Sequence, residues 1–188
     1  MEAFCALGDS VKEFDLTVGD AGGNAATPSP PVTTIPASLA TCFPNLHKCK
    51  LSFNSLKGEI PAFLGTMKRL SYIKLASNKL IGSIPKELAS SPALFFLDVS
   101  DNNLSGSLPE FNGKLGYLDV SKNDVEGPID KALASAVGLQ AVGLKGNAKL
   151  CGPVPSSVRW AVGYDAEGTG LGKPCGSSSP APEKKKEA

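Results

Sequence analysis

Leu46-x-x-Cys49-x-Leu51-x-x-Asn54-x-Leu56-x-Gly58-x-Ile60-Pro61-x-x-Leu64 returns 24 residues later as Leu70, Ile73, Leu75, Asn78, Leu80, Gly82, Ile84, Pro85 and Leu88. A third copy reads Leu94, Leu97, Val99, Asn102, Leu104, Gly106, Leu108 and Pro109, and a fourth Leu115, Leu118, Val120, Asn123, Val125, Gly127 and Ile129. The fifth, Leu139, Val142, Leu144 and Asn147, breaks off into Leu150-Cys151-Gly152. Asn54, Asn78, Asn102, Asn123 and Asn147 are therefore separated by 24, 24, 21 and 24 residues. Self-similarity at such a period is the mark of a stacked solenoid, in which each unit buries its apolar face only against its neighbours.

Stacking assigns a duty to each position. In L-x-x-L-x-L the alternating apolar residues point inward and the residues between them outward, the period-two pattern of a strand, so every copy adds one strand to a parallel sheet. After the strand the chain turns, and a buried Asn amide can pair with backbone groups of neighbouring coils that lack ladder partners. Gly four residues later permits a backbone shape closed to other residues, and the Ile-Pro step opens an extended segment on the opposite side. The composition agrees: 20 glycines and 15 prolines accompany 41% hydrophobic residues, a mixture suited to frequent turns between short buried segments. With 19 basic and 18 acidic residues the chain lacks the broad basic field of a nucleic-acid or anionic-membrane binder. No uncharged apolar run of about 18 residues is present, so this segment itself is not expected to insert in a membrane. Met1 to Asp9 lacks the basic start and apolar stretch of a signal peptide.

Four copies of L-x-x-L-x-L-x-x-N-x-L-x-G-x-I-P-x-x-L in register resemble the plant-type leucine-rich repeat found in receptor-like kinase and receptor-like protein ectodomains and in polygalacturonase-inhibitor-type secreted proteins. That resemblance implies an α/β fold: a right-handed solenoid with a parallel β-sheet on the concave face and short 3₁₀ turns, or a second strand, on the convex one. It also implies a non-catalytic module recognising a protein or peptide ligand, with a co-receptor as further partner, at the cell surface or outside the cell. A secreted inhibitor of a cell-wall hydrolase and an intracellular scaffold are the alternatives. Residues 35–150 carry the repeats. Residues 1–34 read as a degenerate repeat, with Val11-x-x-Phe14-x-Leu16 as its strand and a Gly/Pro-rich loop inserted over Gly19 to Thr34. The paired-cysteine, tryptophan-bearing N-terminal cap of the family is not seen, which suggests the C-terminal part of a longer protein or a divergent relative. Residues 151–176 resemble the family's C-terminal cap, in which Cys151 and Cys175 join, and 177–188 read as a disordered tail.

Candidate sites follow from the strand alternation. Outward residues of successive strands form columns about 4.8 Å apart per strand. One column is Lys48, Tyr72, Phe96, Tyr117, Ala141; the next is Lys50, Lys74, Asp98, Asp119, Gly143; a third is Ser52, Ala76, Ser100, Ser121, Lys145. An aromatic stripe beside a basic-to-acidic switch suits a peptide or protein partner, since aromatic anchors ringed by charge dominate interfaces. Lys48, Lys50, Phe53, Tyr72, Lys74, Phe96, Asp98, Tyr117 and Asp119 form the candidate binding set, although aromatics and Asp-x-Ser at these positions also recur for packing reasons alone. Cys42 and Cys49 are expected as small buried hydrophobes rather than a mutual disulfide, and Cys5 has no assignment. His47, the single histidine, accompanies no nucleophile motif, and Gly168-x-Gly170-x-Gly172 follows no evident strand, so neither catalysis nor a phosphate loop is expected; no cofactor or metal set is apparent. Asn103-Leu104-Ser105 is a glycosylation sequon.

Overall fold

The computed structural model describes residues 11–15, 33–111, 114–159 and 165–176. Within them the chain forms an α/β solenoid in which one kind of coil recurs. Each coil contributes a three-residue strand to one parallel sheet: β1 (Glu13–Asp15), β2 (Lys48–Lys50), β4 (Tyr72–Lys74), β6 (Phe96–Asp98), β8 (Tyr117–Asp119) and β10 (Ala141–Gly143). Their order in the sheet is their order in the chain, β1-β2-β4-β6-β8-β10. The strand expected around Phe14 is thus present, paired in register with β2. The Gly/Pro-rich insertion, except its last two residues, the tail at 177–188 and Cys5 lie outside the described residues.

A second parallel sheet stacks beside the first, β3 (Lys57–Glu59), β5 (Lys79–Gly82), β7 (Asn103–Ser107), β9 (Asp124–Pro128) and β11 (Lys149–Cys151). Its cause is translational: every coil carries the same extended segment at the same height, so the unpaired N–H and C=O groups of one meet those of the next. The convex turns are single-turn α-helices rather than 3₁₀ turns, α1 (Ser38–Cys42), α2 (Phe63–Thr66), α3 (Lys86–Ala89) and α4 (Asp130–Ala134). Three of them begin within two residues of the Ile-Pro proline, where the missing N–H costs nothing. A short α5 (Ser156–Arg159) follows β11.

Inward leucines make one continuous core. Leu97 and Leu118 from the strands, with Leu46 and Leu70 just ahead of theirs, Leu80 and Leu104 from the second sheet, with Leu56 just before it, and Leu64, Leu88 and Leu133 from the helices are all at most 1% exposed. The 21-residue copy shows how a deletion is absorbed. No helix forms among the described residues between β7 and β8; instead Phe111, 1% exposed, fills the volume that a helical leucine occupies elsewhere, and its N–H donates to the Ala132 carbonyl at 2.8 Å.

The asparagines tie the coils together. Asn78 Oδ1 accepts from the N–H groups of Asn54 (3.1 Å) and Leu56 (2.9 Å), while Nδ2 donates to the carbonyls of Leu51 (2.9 Å), Leu75 (2.9 Å) and Ala76 (3.2 Å). Asn102, Asn123 and Asn147 repeat the pattern, accepting from Leu80, Leu104 and Val125 at 2.9–3.0 Å and donating to carbonyls of their own and the preceding coil. Asn54, in the first of these coils, donates to the Ser52 carbonyl at 3.0 Å. The residue before each asparagine is left-handed: Phe53, Ser77, Asp101 and Lys122 have φ of 54–59°, and Gly146 has φ of 78°. Only the last of these has the residue type that the backbone prefers.

At the C-terminal end, residues 165–176 lie along the last coil. Leu144 N–H donates to the Asp165 carbonyl (2.7 Å), Gly146 to Glu167 (2.9 Å), and Gly152 to Lys173 (2.8 Å), so groups that a further coil would have satisfied are paired. A Cβ on Gly170 would stand 2.7 Å from the Leu150 carbonyl oxygen, whereas Gly168 and Gly172 are left-handed at φ of 72° and 85°. Close approach at the middle glycine and backbone shape at the outer two thus account for Gly168-x-Gly170-x-Gly172. Cys151 and Cys175 are joined by a disulfide. Cys42 is buried and not joined to Cys49, as expected, but it is disulfide-bonded, which corrects the reading of it as a simple small hydrophobe. Cys49 is a free, fully buried thiol, and burial pushes its pKa up to about 12.

Candidate functional site

The outward face of the six-stranded sheet brings the columns together in register. Lys48, Tyr72, Phe96, Tyr117 and Ala141 are successive cross-strand partners, as are Lys50, Lys74, Asp98, Asp119 and Gly143. The middle of the first column is a slab of three rings. Tyr72 and Phe96 stack with centroids 4.1 Å apart and planes 8° from parallel; Phe96 and Tyr117 stack at 4.2 Å and 5°. Parallel in-register pairing imposes this spacing, because the rings sit directly opposite one another on adjacent strands. Stacked pairs add about 0.5–1.5 kcal/mol each beyond their buried area.

The second column is not a simple basic-to-acidic switch. Glu13 and Asp15 of β1 extend the two columns ahead of Lys48 and Lys50. Glu13 lies 3.4 Å from Lys48 Nζ and 2.5 Å from Lys50 Nζ, and Asp15 lies 3.3 Å from Lys50 Nζ. The Lys50 ammonium holds the Glu13 carboxyl below the usual carboxylate range, and Glu13 in turn raises Lys50. Two of the three lysines proposed as binding groups are therefore neutralised within the sheet, and Lys74 is the one in these columns with no ion pair among the described residues. Sequence reasoning missed the acids, yet the signal was there: once Phe14 is taken as inward, Glu13 and Asp15 must face outward beside the lysines.

Further along, Asp98 is 7% exposed and its Oδ1 accepts from the Ser100 N–H (3.1 Å) and hydroxyl (2.7 Å). Burial raises its pKa; the Ser100 hydrogen bonds oppose the shift, and the neighbouring Asp119 reinforces it. Asp119 Oδ1 accepts from the Ser121 N–H at 2.9 Å, and the Tyr117 hydroxyl donates to Oδ2 at 3.5 Å. Tyr117 is pushed up to about 12, first by burial and then by the charges of Asp119 and Asp98. Phe53 stands apart from the columns, 48% exposed in the row of left-handed residues at the sheet edge. Asn103 is exposed at the start of β7, as is Ser105, with Leu104 buried between them, so the sequon faces solvent on the second sheet rather than on this one.

No group of three or more potential metal ligands occurs among the described residues, and no helix among them is long and apolar enough to cross a membrane.

A leucine rich repeat family profile matches residues 44–104. No curated protein sequence matches the chain. Among solved structures, the chain is similar to a TDR receptor (35% identity, TM-score 0.60, covering 66% of this chain and 22% of that one). It is similar also to the plant peptide hormone receptor RGFR1 in complex with RGF2 (31% identity, TM-score 0.65, covering 73% and 23%). A chain of the BIR3–SERK2 complex from Arabidopsis thaliana shares 34% identity at a TM-score of 0.55, covering 67% of this chain and 70% of its own. The chain thus spans 22–23% of the length of the first two.

Proposed function

Since this chain belongs to the plant-type leucine-rich-repeat proteins, we propose that it is a non-catalytic recognition module of a receptor-like ectodomain, binding a peptide or protein ligand on its concave sheet. The observation that carries this reading is the Tyr72–Phe96–Tyr117 slab, three half-exposed rings beside Lys74, Asp98 and Asp119. Rigid aromatics that lose little entropy on binding, flanked by charges that set register, are what interface hot spots are made of. The likeness to RGFR1, whose structure holds RGF2, and to a BIR3–SERK2 chain supports a peptide ligand and a co-receptor as the partner classes.

The test is a panel of synthetic secreted plant peptides titrated against the purified chain. The expected result is a binder that loses at least about 30-fold in affinity in Phe96→Ala, the size of a 2 kcal/mol hot spot. A panel without a binder, or a binder indifferent to Phe96→Ala and Tyr72→Ala, would refute the reading.

The same reading places the chain outside the cell. Two disulfides, one at Cys151–Cys175 and one at Cys42, suit an oxidising compartment. Alkylation of unreduced protein in denaturant should then label a single thiol, Cys49, and endoglycosidase treatment should remove a glycan that Asn103→Gln lacks. Five labelled thiols on native-source protein would place it in a reducing compartment instead.

A further inference from the structure

The aromatic slab stops short. Phe96 has a ring against each face, whereas Tyr117 has one face against Phe96 and the other turned toward β10, where its cross-strand partner is only Ala141. In the adjoining column the same step runs from Asp119 to Gly143. The Asp119 carboxylate leans over that glycine: a Cβ on Gly143 would stand 2.5 Å from Asp119 Oδ1 and 2.6 Å from its Cγ. The next member of this column comes from the C-terminal cap, for Gly143 and Asp165 form a parallel bridge and Asp165 is exposed. What results is a slot floored by Ala141 and Gly143, walled by the bare face of Tyr117, with Asp119 on one side and Asp165 about one strand spacing (~4.8 Å) beyond the glycine. The Tyr117 hydroxyl reaches Asp119 Oδ2 at 3.5 Å, so ring and carboxylate are held together.

Carboxylates outnumber cations around the slot, with Lys74 facing Asp98 as the one lysine of the columns that holds no ion pair among the described residues. Lys48 and Lys50 are paired with Glu13 and Asp15, and Lys145 is paired with Glu167. Asp98, Asp119 and Asp165 hold no ion pair among the described residues. The charges of Asp119 and Asp98 add to the burial that raises Tyr117.

We propose that the slot of Tyr117, Asp119, Ala141, Gly143 and Asp165 binds the guanidinium of an arginine side chain on the ligand. The proposal rests on the recognition reading above and names part of the chemistry it selects. A guanidinium is a flat cation that stacks on an aromatic face and donates in its own plane to carboxylates. Laid against Tyr117 over the Ala141 methyl, it meets the Asp119 carboxylate, which leans over Gly143, along one edge, and Asp165 follows one strand further along that same side. A lysine ammonium would answer the charge and leave the ring face unused.

The probes are N-acetyl-arginine amide, its citrulline analogue, which keeps the shape without the charge, and N-acetyl-lysine amide, which keeps the charge without the plane. Binding is followed at low ionic strength through the amide resonances of Ala141, Gly143 and Asp165. The arginine probe should shift them saturably, citrulline should not, and lysine should bind at least about fivefold more weakly. Ala141→Phe, which extends the stack across the free face of Tyr117 at an outward position and removes no charge, should weaken arginine binding at least about tenfold with the melting temperature unchanged. Asp119→Asn combined with Asp165→Asn should do the same. Equal binding of citrulline or lysine, or arginine binding that survives both variants, would overturn the proposal. A peptide ligand dependent on Phe96 but indifferent to Ala141→Phe would likewise defeat the slot while leaving concave-face recognition standing; arginine binding without any peptide ligand would do the reverse.

Discussion

Asn78→Ala removes a side chain that makes five hydrogen bonds, three to the preceding coil and two within its own. Not all of these partners would be stranded. The Leu75 carbonyl keeps Asn102 Nδ2 and the Ala76 carbonyl keeps the Phe53 N–H. Asn54 is half-buried, so water can reach its N–H. The Leu56 N–H and the Leu51 carbonyl are left, on residues 0% and 2% exposed. Each buried orphan costs about 1–3 kcal/mol, so the loss should be about 2–6 kcal/mol. A solenoid transmits that loss, because each coil is stabilised through its neighbours. Against a total of about 5–15 kcal/mol this is large, and at roughly 2–4 °C per kcal/mol it lowers the melting temperature by some ten degrees. Urea unfolding followed by circular dichroism measures it, with Asn103→Ala, an exposed neighbour of the ladder, as the control expected within about 0.5 kcal/mol. Asn78→Asp refines the test: it keeps the acceptor and points a second oxygen at three carbonyls, so it should be as damaging at pH 7 and recover in part when protonated. A loss below about 1 kcal/mol in Asn78→Ala, at an unchanged m-value, would refute the idea that the amide serves the coils rather than merely filling space.

Two further outcomes test the same structure elsewhere. Cys151→Ser should cost about 3–4 kcal/mol, the loop-entropy value for a bridge spanning 24 residues, under oxidising conditions only; equal melting with and without reductant in the wild type would show that the bridge does not hold the cap. Asp98→Asn should raise stability at neutral pH. The folded-state pKa of Asp98 lies above its unfolded value, so its ionisation disfavours the fold as pH rises through that range, and the amide keeps an acceptor for Ser100 without the charge. The gain in melting temperature should shrink as the pH falls below the carboxylate range, and a gain that grows there would reverse the sign of the argument.

The sheet was legible in the chain because its geometry is a repetition. A period of 24 residues, with outward side chains at every second position, suffices to put Tyr72 and Phe96 on one line, and the 21-residue copy returns Tyr117 to it since the deletion falls on the convex side. The second sheet was legible only as an alternative to 3₁₀ turns, since Lys-Leu-Ile-Gly at 79–82 and Asn-Leu-Ser-Gly-Ser at 103–107 lack the β-branched or aromatic alternation of a strand; what makes them strands is each other.

By itself, then, the sequence determined what is local and periodic: the coil, the inward leucines, the ladder positions and the columns of the sheet. Tertiary structure decided what joins segments that share no register. Glu13 and Asp15 neutralise Lys48 and Lys50 from across the long insertion, Phe111 takes the place of a helical leucine two residues after a proline, Cys42 is disulfide-bonded, and Asp165 enters a column from the cap. None of these contacts has a spacing that recurs, and a charge or a ring at one position in the chain carries no mark of the distant group that will come to lie against it until the stacked core brings the two together.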